Sequence, residues 1–236
     1  MRILALDTSG PVAGAALMEN GVVTHEVMAS HGLTHSQTAM PMVDQCLSAA
    51  GIAAKDIDLF AAVAGPGSFT GVRIGVCAVK ALAHAWNKPA VAIDSLETLA
   101  MNAFSFPGVI CPILDARRGQ VYCAAFRFEG GARPVRLMED GAMALTDFLE
   151  KLPADEKCLF LGDGLAVHFP KIQAVLGQRA LAAPAHMAYL RPAAACVLAG
   201  EMADEAVDCM SLQPIYLRAP QAERERNARL ASEGAK

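Results

Sequence analysis

The chain has 236 residues, of which 54% are hydrophobic and 19% charged, and its formal net charge is −4. This length allows one large core or two smaller ones, and the acidic balance argues against this chain alone gripping a nucleic-acid backbone. The seven cysteines form no C-x-x-C pair, which favours a reduced cytoplasmic protein over a disulfide or zinc framework. The sequence predicts neither a membrane span nor an N-terminal signal peptide.

The first hundred residues predict three hairpin-linked strands and then alternating helices and strands. The first strand ends in Asp7, and an Asn20-Gly21 turn joins the second and third strands. This order is typical of a mixed sheet with helices on its faces. The predicted elements are strands at 2–7, 12–18 and 22–28, a helix at 37–50, a strand at 59–64, a helix at 71–86, a strand at 90–93 and a helix that Ser95 caps and that runs to about 104.

A glycine-rich turn, Gly65-Pro66-Gly67-Ser68, connects the strand at 59–64 to the following helix. The glycines permit positive φ, and Ser68 or Thr70 can cap the helix. Such a turn directs backbone N–H groups and the positive helix end to one place, where a phosphate or carboxylate can bind. The alternative is a tight strand-to-helix turn without a ligand.

Three small residues of that helix, Gly71, Gly75 and Ala78, lie three or four positions apart and therefore share one face. A face without side-chain bulk lets another backbone approach closely. The sequence leaves open whether that backbone belongs to this chain or to a second one.

The pattern repeats after a predicted boundary at 106–108. A strand at 109–115 ends in Asp115, as the first strand ends in Asp7, and a later strand leads into Gly162-Asp163-Gly164. We therefore predict two similar lobes, residues 1–106 and 107–218, with a cleft between them. The charged tail, residues 219–236, is predicted to be a solvated helix or disordered.

Asp7 and Asp115 are the candidate acids of that cleft. Paired acids across a cleft are how a two-lobed phosphotransferase holds Mg²⁺ and a nucleotide, and Gly162 and Gly164 would then lie near the adenine. The alternative is that each acid only ends a strand and caps a turn.

His31 and His35 have the i, i+4 spacing of a helical metal pair, but Gly32 and polar neighbours place them in a loop. No nearby Cys, Asp or Glu completes a ligand set before Asp44, so we predict no metal site and expect His35 to help cap the next helix. The sequence contains neither H-E-x-x-H nor G-x-S-x-G, and no catalytic residue is assigned.

Four segments together resemble the bacterial TsaB (YeaZ) family. The resemblance covers nearly the whole chain and implies a two-lobed actin-like ATPase (ASKHA, RNase H-like) fold. It also implies a role in making threonylcarbamoyladenosine beside the anticodon of tRNA, together with the catalytic paralogue TsaD and the ATPase TsaE. The segments are ILALDTS at 3–9, AGPGSFTGVRIG at 64–75, ILDARRGQVY at 113–122 and PIYLR at 214–218.

The resemblance implies the non-catalytic member of that pair. TsaD-like chains carry a metal-binding His-x-x-x-His after the corresponding Lys-Pro strand, and alignment on Leu96-Glu97 places Ser95 and Leu99 there. Since Ser95 is a poor ligand and Leu99 cannot ligate, we expect a cytoplasmic scaffold subunit without a cofactor. It would bind and stabilise TsaD, help to recruit TsaE, and leave tRNA mainly to the other subunits.

The same resemblance assigns the small-residue helix face to pairing with TsaD or, without TsaD, with a second copy of the chain. Two rivals stay open: a small ATP-dependent kinase that uses the interlobe cleft, and a metalloprotease, which needs a bound metal. The expected partner interface comprises Met40, Val43, Leu47, Gly71, Gly75, Ala78, Val79 and Leu82.

Overall fold

The computed structural model describes residues 1–30, 32 and 34–218, so His31 and the tail at 219–236 lie outside the described residues. Among the described residues, no helix has the length and apolar character needed to cross a membrane. The strands are β1 (Arg2–Asp7), β2 (Ala13–Glu19), β3 (Val22–Ala29), β4 (Leu59–Gly65), β5 (Ala90–Asp94), β6 (Val109–Asp115), β7 (Gln120–Arg127), β8 (Val135–Ala144), β9 (Cys158–Leu161) and β10 (Ala180–Ala182). The α-helices are α1 (His35–Ala50), α2 (Phe69–Ala85), α3 (Ser95–Ala100), α4 (Leu145–Glu150), α5 (Leu165–Leu176) and α6 (Pro192–Glu201).

The strands form two five-stranded mixed sheets with the same topology. Their orders are β3-β2-β1-β4-β5 and β8-β7-β6-β9-β10. In each sheet the first strand in sequence pairs antiparallel with the second and parallel with the fourth. Asp7 and Asp115 end the equivalent strands β1 and β6. The predicted fold class, two mixed sheets flanked by helices, is therefore confirmed.

The first sheet is buried on both faces because its side chains alternate between two cores. Leu4 and Leu6 of β1 pack beneath α1 and α2, whereas Ile3 and Ala5 face the opposite core, which contains α6. That second core continues through α3 into the second sheet. A helix from the second half of the chain thus covers the first sheet, and the division at residue 106 stays a prediction.

The helix caps agree in part with those predicted from the sequence. Ser68 caps α2 as expected, accepting a hydrogen bond from Gly71 N at 3.2 Å. The cap of α3, however, is Asp94, whose Oδ1 accepts from Glu97 N at 2.6 Å.

Equivalent glycines occur where β4 and β9 turn towards α2 and α5. Gly65 has φ +120° and Gly162 has φ +117°, a region that side-chain-bearing residues rarely adopt. A Cβ atom at Gly162 would lie 2.0 Å from the carbonyl oxygen of Ile113, and one at Gly65 would lie 2.4 Å from that of Ile215. Both turns therefore require glycine for conformation and for space.

We expect Gly162→Ala to lower the free energy of unfolding by about 3 kcal/mol, because it combines backbone strain with a clash against a rigid carbonyl. Gly21→Ala is the matched control. Gly21 has φ +82° but no atom near its Cβ position, so strain alone should cost about 1 kcal/mol. Urea denaturation followed by circular dichroism measures both. Equal losses would show that the second sheet yields to the added methyl group.

Candidate functional site

A cleft of about 500 Å³ lies beyond the carboxyl ends of strands from both sheets. This is the end of an α/β sheet where ligands usually bind. Its walls come from the turns after β1, β4, β6 and β9 and from the segment at 214–218, referred to below as the C-terminal segment. The lining segments are 9–11, 66–69, 114–117 and 215–218, together with His35, Val72, Tyr122 and Asp163.

Asp7 lies beneath this cleft and does not line it. The residue is 2% exposed, and its Oδ1 accepts hydrogen bonds from Ser9 N at 2.8 Å and Ser9 Oγ at 2.7 Å. Burial raises the pKa of the Asp7 carboxyl, against the lowering effect of the two Ser9 donors. Asp7 therefore holds the turn after β1, which was the alternative reading of this acid.

Asp115 does line the cleft and makes the equivalent turn contact in the second sheet. Its Oδ1 accepts from Arg117 N at 2.9 Å, and its own N–H donates to Asp163 Oδ1 at 3.0 Å. Burial raises the pKa of Asp163. The ring of His168 is buried, with Nε2 at 3.8 Å from Asp115 Oδ1. The carboxylates that face the cleft, those of Asp115 and Asp163, therefore belong to the second sheet and the turn that follows its strand β9.

Gly162 and Gly164, the other two predicted nucleotide residues, pack against the backbone of Ile113 and do not line the cleft. Of the four residues predicted there, Asp115 lies on the cleft surface. The predicted pair of acids facing each other is therefore not formed, because Asp7 is enclosed under its own turn.

His35 is the first residue of α1, and Thr34 occupies the cap position. The Nε2 atom of His35 lies 2.7 Å from the carbonyl oxygen of Gly10. The histidine therefore ties the start of α1 to the turn after β1. In the part of the chain that the structure describes, no group of three or more His, Cys, Asp or Glu residues could hold a metal ion.

The close approach at Gly71 and Gly75 is internal. A Cβ atom at Gly71 would lie 2.1 Å from the carbonyl oxygen of Thr8, and one at Gly75 would lie 2.5 Å from Thr8 Oγ1. Thr8 Oγ1 also donates to the carbonyl oxygen of Gly71 at 2.7 Å. These glycines offer no surface to a partner, which corrects the expectation that they form the interface.

The remaining members of the expected interface divide by burial. Val43, Leu47 and Val79 belong to the core between the first sheet and its two helices. Met40 is 43% exposed, and Ala78 and Leu82 are half-buried. Five of the eight expected residues, including both glycines, are therefore buried within the chain.

The exposed face of α2 carries residues that the sequence analysis missed. Arg73, Cys77 and Ala81 follow one another at helical spacing on the solvent side. A shallow groove of about 350 Å³ lies on this face and is lined by Phe69, Thr70, Arg73, Ile74 and Cys77. Their signal in the sequence is a stripe of residues four positions apart on the side of α2 opposite its core residues. The predicted interface followed the small residues of the helix instead.

The C-terminal segment at 214–218 joins this face to the cleft. Its Ile215 N–H donates to the carbonyl oxygen of Ala64 at 2.7 Å, and the Tyr216 ring lies 5.2 Å from that of Phe69. Arg73 Nε donates to the Tyr216 hydroxyl at 2.7 Å. The segment therefore places an aromatic and arginine cluster at the start of α2.

We expect the free energy of unfolding of the Asp7→Asn variant to increase, relative to that of the unchanged protein, as the pH rises from 4 to 7. Because the folded-state pKa of Asp7 is raised above its usual value of about 4, ionisation costs stability above that value. Asparagine keeps an acceptor for Ser9 and cannot ionise. Urea unfolding at several pH values measures the difference, with Asp44→Asn on the exposed side of α1 as the control. A difference that falls with rising pH would contradict the raised pKa.

Comparisons with known proteins find similarity to both TsaD-type and TsaB-type proteins. Residues 23–225 match the family model described as TsaD: tRNA N6-adenosine threonylcarbamoyltransferase. The tRNA threonylcarbamoyladenosine biosynthesis protein TsaB of Bacillus subtilis is 40% identical over 224 residues, covering 94% of this chain and 96% of that protein. YeaZ from Pseudomonas aeruginosa superposes with a TM-score of 0.76 at 26% identity, covering 91% of this chain and 100% of that chain.

A TsaD-type relative aligns over a smaller part. The tRNA N6-adenosine threonylcarbamoyltransferase of Anaeromyxobacter sp. is 36% identical over 122 residues, covering 44% of this chain and 36% of that protein. The match that covers nearly the whole of both proteins is thus with TsaB, and the fold is that of YeaZ. The chain belongs to the TsaB (YeaZ) family, whose curated members are tRNA threonylcarbamoyladenosine biosynthesis proteins.

Proposed function

We propose that this chain is a non-catalytic scaffold and activating subunit of the complex that makes threonylcarbamoyladenosine in tRNA. The observation that carries the proposal is the 40% identity to TsaB across 94% of the chain. In this proposal the chain binds a TsaD-like catalytic subunit and holds it in its competent conformation. It also contributes to the surface that receives a TsaE-like ATPase.

The surroundings of Ser95 and Leu99 support a non-catalytic role. Both side chains are fully buried in α3, and Leu99 belongs to the core that continues from the first sheet into the second. The positions where TsaD-like chains carry histidine ligands are therefore used for packing. Replacing Ser95 or Leu99 by histidine would place a metal ligand inside the apolar core.

The pairing surface that we propose is the exposed side of α1 and α2. It comprises Met40 of α1 and Arg73, Cys77 and Ala81 of α2, all of them exposed. Arg73 lies over the Phe69 ring, which contacts that of Tyr216. Arginine and aromatic residues are enriched at the centres of protein interfaces, where they contribute most of the binding energy. The same surface would mediate a homodimer when the catalytic partner is absent.

Activation by a scaffold requires only that the partner's active conformation bind more tightly than its inactive one. The buried inner face of α2 fixes its outer face, so the surface is preorganised. A kinase-like enzyme is the alternative, and the observation in its favour is that Asp115 lines the cleft. Magnesium-nucleotide binding with turnover by the isolated chain would support that alternative.

The test of the function is a reconstitution of threonylcarbamoyladenosine formation with TsaD and TsaE, with and without this chain. We expect modified tRNA only when the chain is present. Activity should survive Asp7→Asn combined with Asp115→Asn, because asparagine keeps the turn contacts but removes both carboxylates. Loss of activity with intact pairing would show that the cleft performs chemistry or holds an obligatory ligand. Elemental analysis of the purified chain decides the metalloprotease alternative.

Cys77→Glu combined with Ala81→Glu should abolish pairing with the TsaD subunit while the fold is retained. Both residues are exposed on α2, so the added charges are solvated in the free chain and desolvated in a complex. Size-exclusion chromatography measures pairing, and circular dichroism measures the fold. The control is Val175→Glu on α5, where the side chain is 59% exposed. Undiminished pairing of the double variant would place the interface elsewhere.

A further inference from the structure

The turn between β6 and β7 has an unusual backbone. Its three successive residues are left-handed, with φ +67° at Arg117, +55° at Arg118 and +74° at Gly119. Residues with side chains rarely adopt this region, and among them asparagine and aspartate adopt it most readily. Two arginines in a conformation that suits glycine or asparagine indicate a function for the side chains.

The equivalent turn of the first sheet shows that the fold does not need these arginines. There the sequence is Thr8-Ser9-Gly10-Pro11, without a charge. In both turns the strand-ending aspartate accepts a hydrogen bond from the N–H two residues later, Ser9 in one and Arg117 in the other. The carboxylate is therefore the shared structural element, and the arginines are specific to the second turn.

The arginine turn lies at the rim of the cleft and is joined by a third guanidinium group. Arg218 Nη1 donates to the carbonyl oxygen of Ala116 at 2.9 Å, next to Arg117. Arg117 is 87% exposed, and its Nε forms an ion pair with Asp115 Oδ2 at 3.9 Å. In a chain of net charge −4, three arginines thus lie together at one rim of the cleft, beside the carboxylates of Asp115 and Asp163.

The chemistry of this rim suits phosphate, because guanidinium groups donate to phosphate oxygens in a fixed fork. Arg117 extends into solvent, which favours a ligand larger than the cleft can enclose. We propose that Arg117 and Arg118, supported by Arg218, bind backbone phosphates of the RNA substrate. This inference rests on the proposed function for the identity of the RNA. It refines the expectation that other subunits hold the tRNA, since it adds a local contact by this chain.

The test compares Arg117→Asn combined with Arg118→Asn against the unchanged chain. Asparagine tolerates left-handed backbone, so the turn is preserved while two charges are removed. The control is Lys55→Gln combined with Lys171→Gln, which removes two charges from exposed residues that do not line the cleft. Arg117→Lys combined with Arg118→Lys is the charge-preserving variant.

The measurement is the affinity for an unmodified tRNA transcript over a series of salt concentrations, with the TsaD-containing complex and with the chain alone. We expect the asparagine variant to bind about tenfold more weakly at low salt. The slope of log affinity against log salt should fall by about one to two, as expected for the loss of one or two phosphate contacts. The lysine variant should keep most of the slope, and the glutamine control should keep all of it.

Unchanged affinity and slope in both preparations would overturn the inference, and so would an equal loss in the glutamine control. Weaker binding of ADP with unchanged binding of tRNA would assign the rim to a free nucleotide and also overturn it. Pairing with TsaD is scored separately by size-exclusion chromatography. If the unchanged chain does not pair, the proposed function fails, while the salt series with the chain alone still decides the RNA contact.

Discussion

The contact between Thr8 and the first turns of α2 determines where the functional surfaces lie. Because Gly71 and Gly75 have no side chains, α2 approaches the end of β1 closely enough for Thr8 to bond the carbonyl oxygen of Gly71. The same approach lets Ser68 N donate to the carbonyl oxygen of Ser9 at 2.7 Å, so two turns meet at the cleft. The inner face of α2 is therefore buried against the end of β1, and its outer face is the one available to a partner.

The two sheets show how a repeated turn acquires different chemistry. Each first strand ends in an aspartate whose carboxylate holds the N–H two residues on, so the acid is retained for the geometry of the turn. Ser9 in the first turn is buried at the wall of the cleft, whereas Arg117 in the second is exposed. The aspartate is thus common to the two turns, while the residue two positions later differs in both burial and charge.

The sequence predicted the strands and most helices because their signals are local. Asn20 and Gly21 both have positive φ, as an Asn-Gly hairpin turn requires, and apolar runs placed β1, β4 and β6. The sequence could not show which backbone packs against the glycine face of α2, because small residues indicate a close approach but not the identity of the neighbouring segment. That neighbour, Thr8, lies 63 residues from Gly71. Similarly, Asp115 and Asp7 look alike in sequence, and only packing separates the residue that lines the cleft from the one beneath it.

The contacts around α3 join the two sheets through a shared apolar core and through ion pairs. Leu96 and Leu99 sit in a core that is continuous between the sheets, and Arg133, from the second half, makes two hydrogen bonds to Glu97 at 2.9 and 3.1 Å. Partly buried ion pairs of this kind add little net stability, but they penalise any arrangement that separates the partners. Separating the two sheets would expose this core and leave Glu97 without Arg133 and Arg136. The shared core and the ion pairs therefore act together against a rearrangement of one sheet relative to the other.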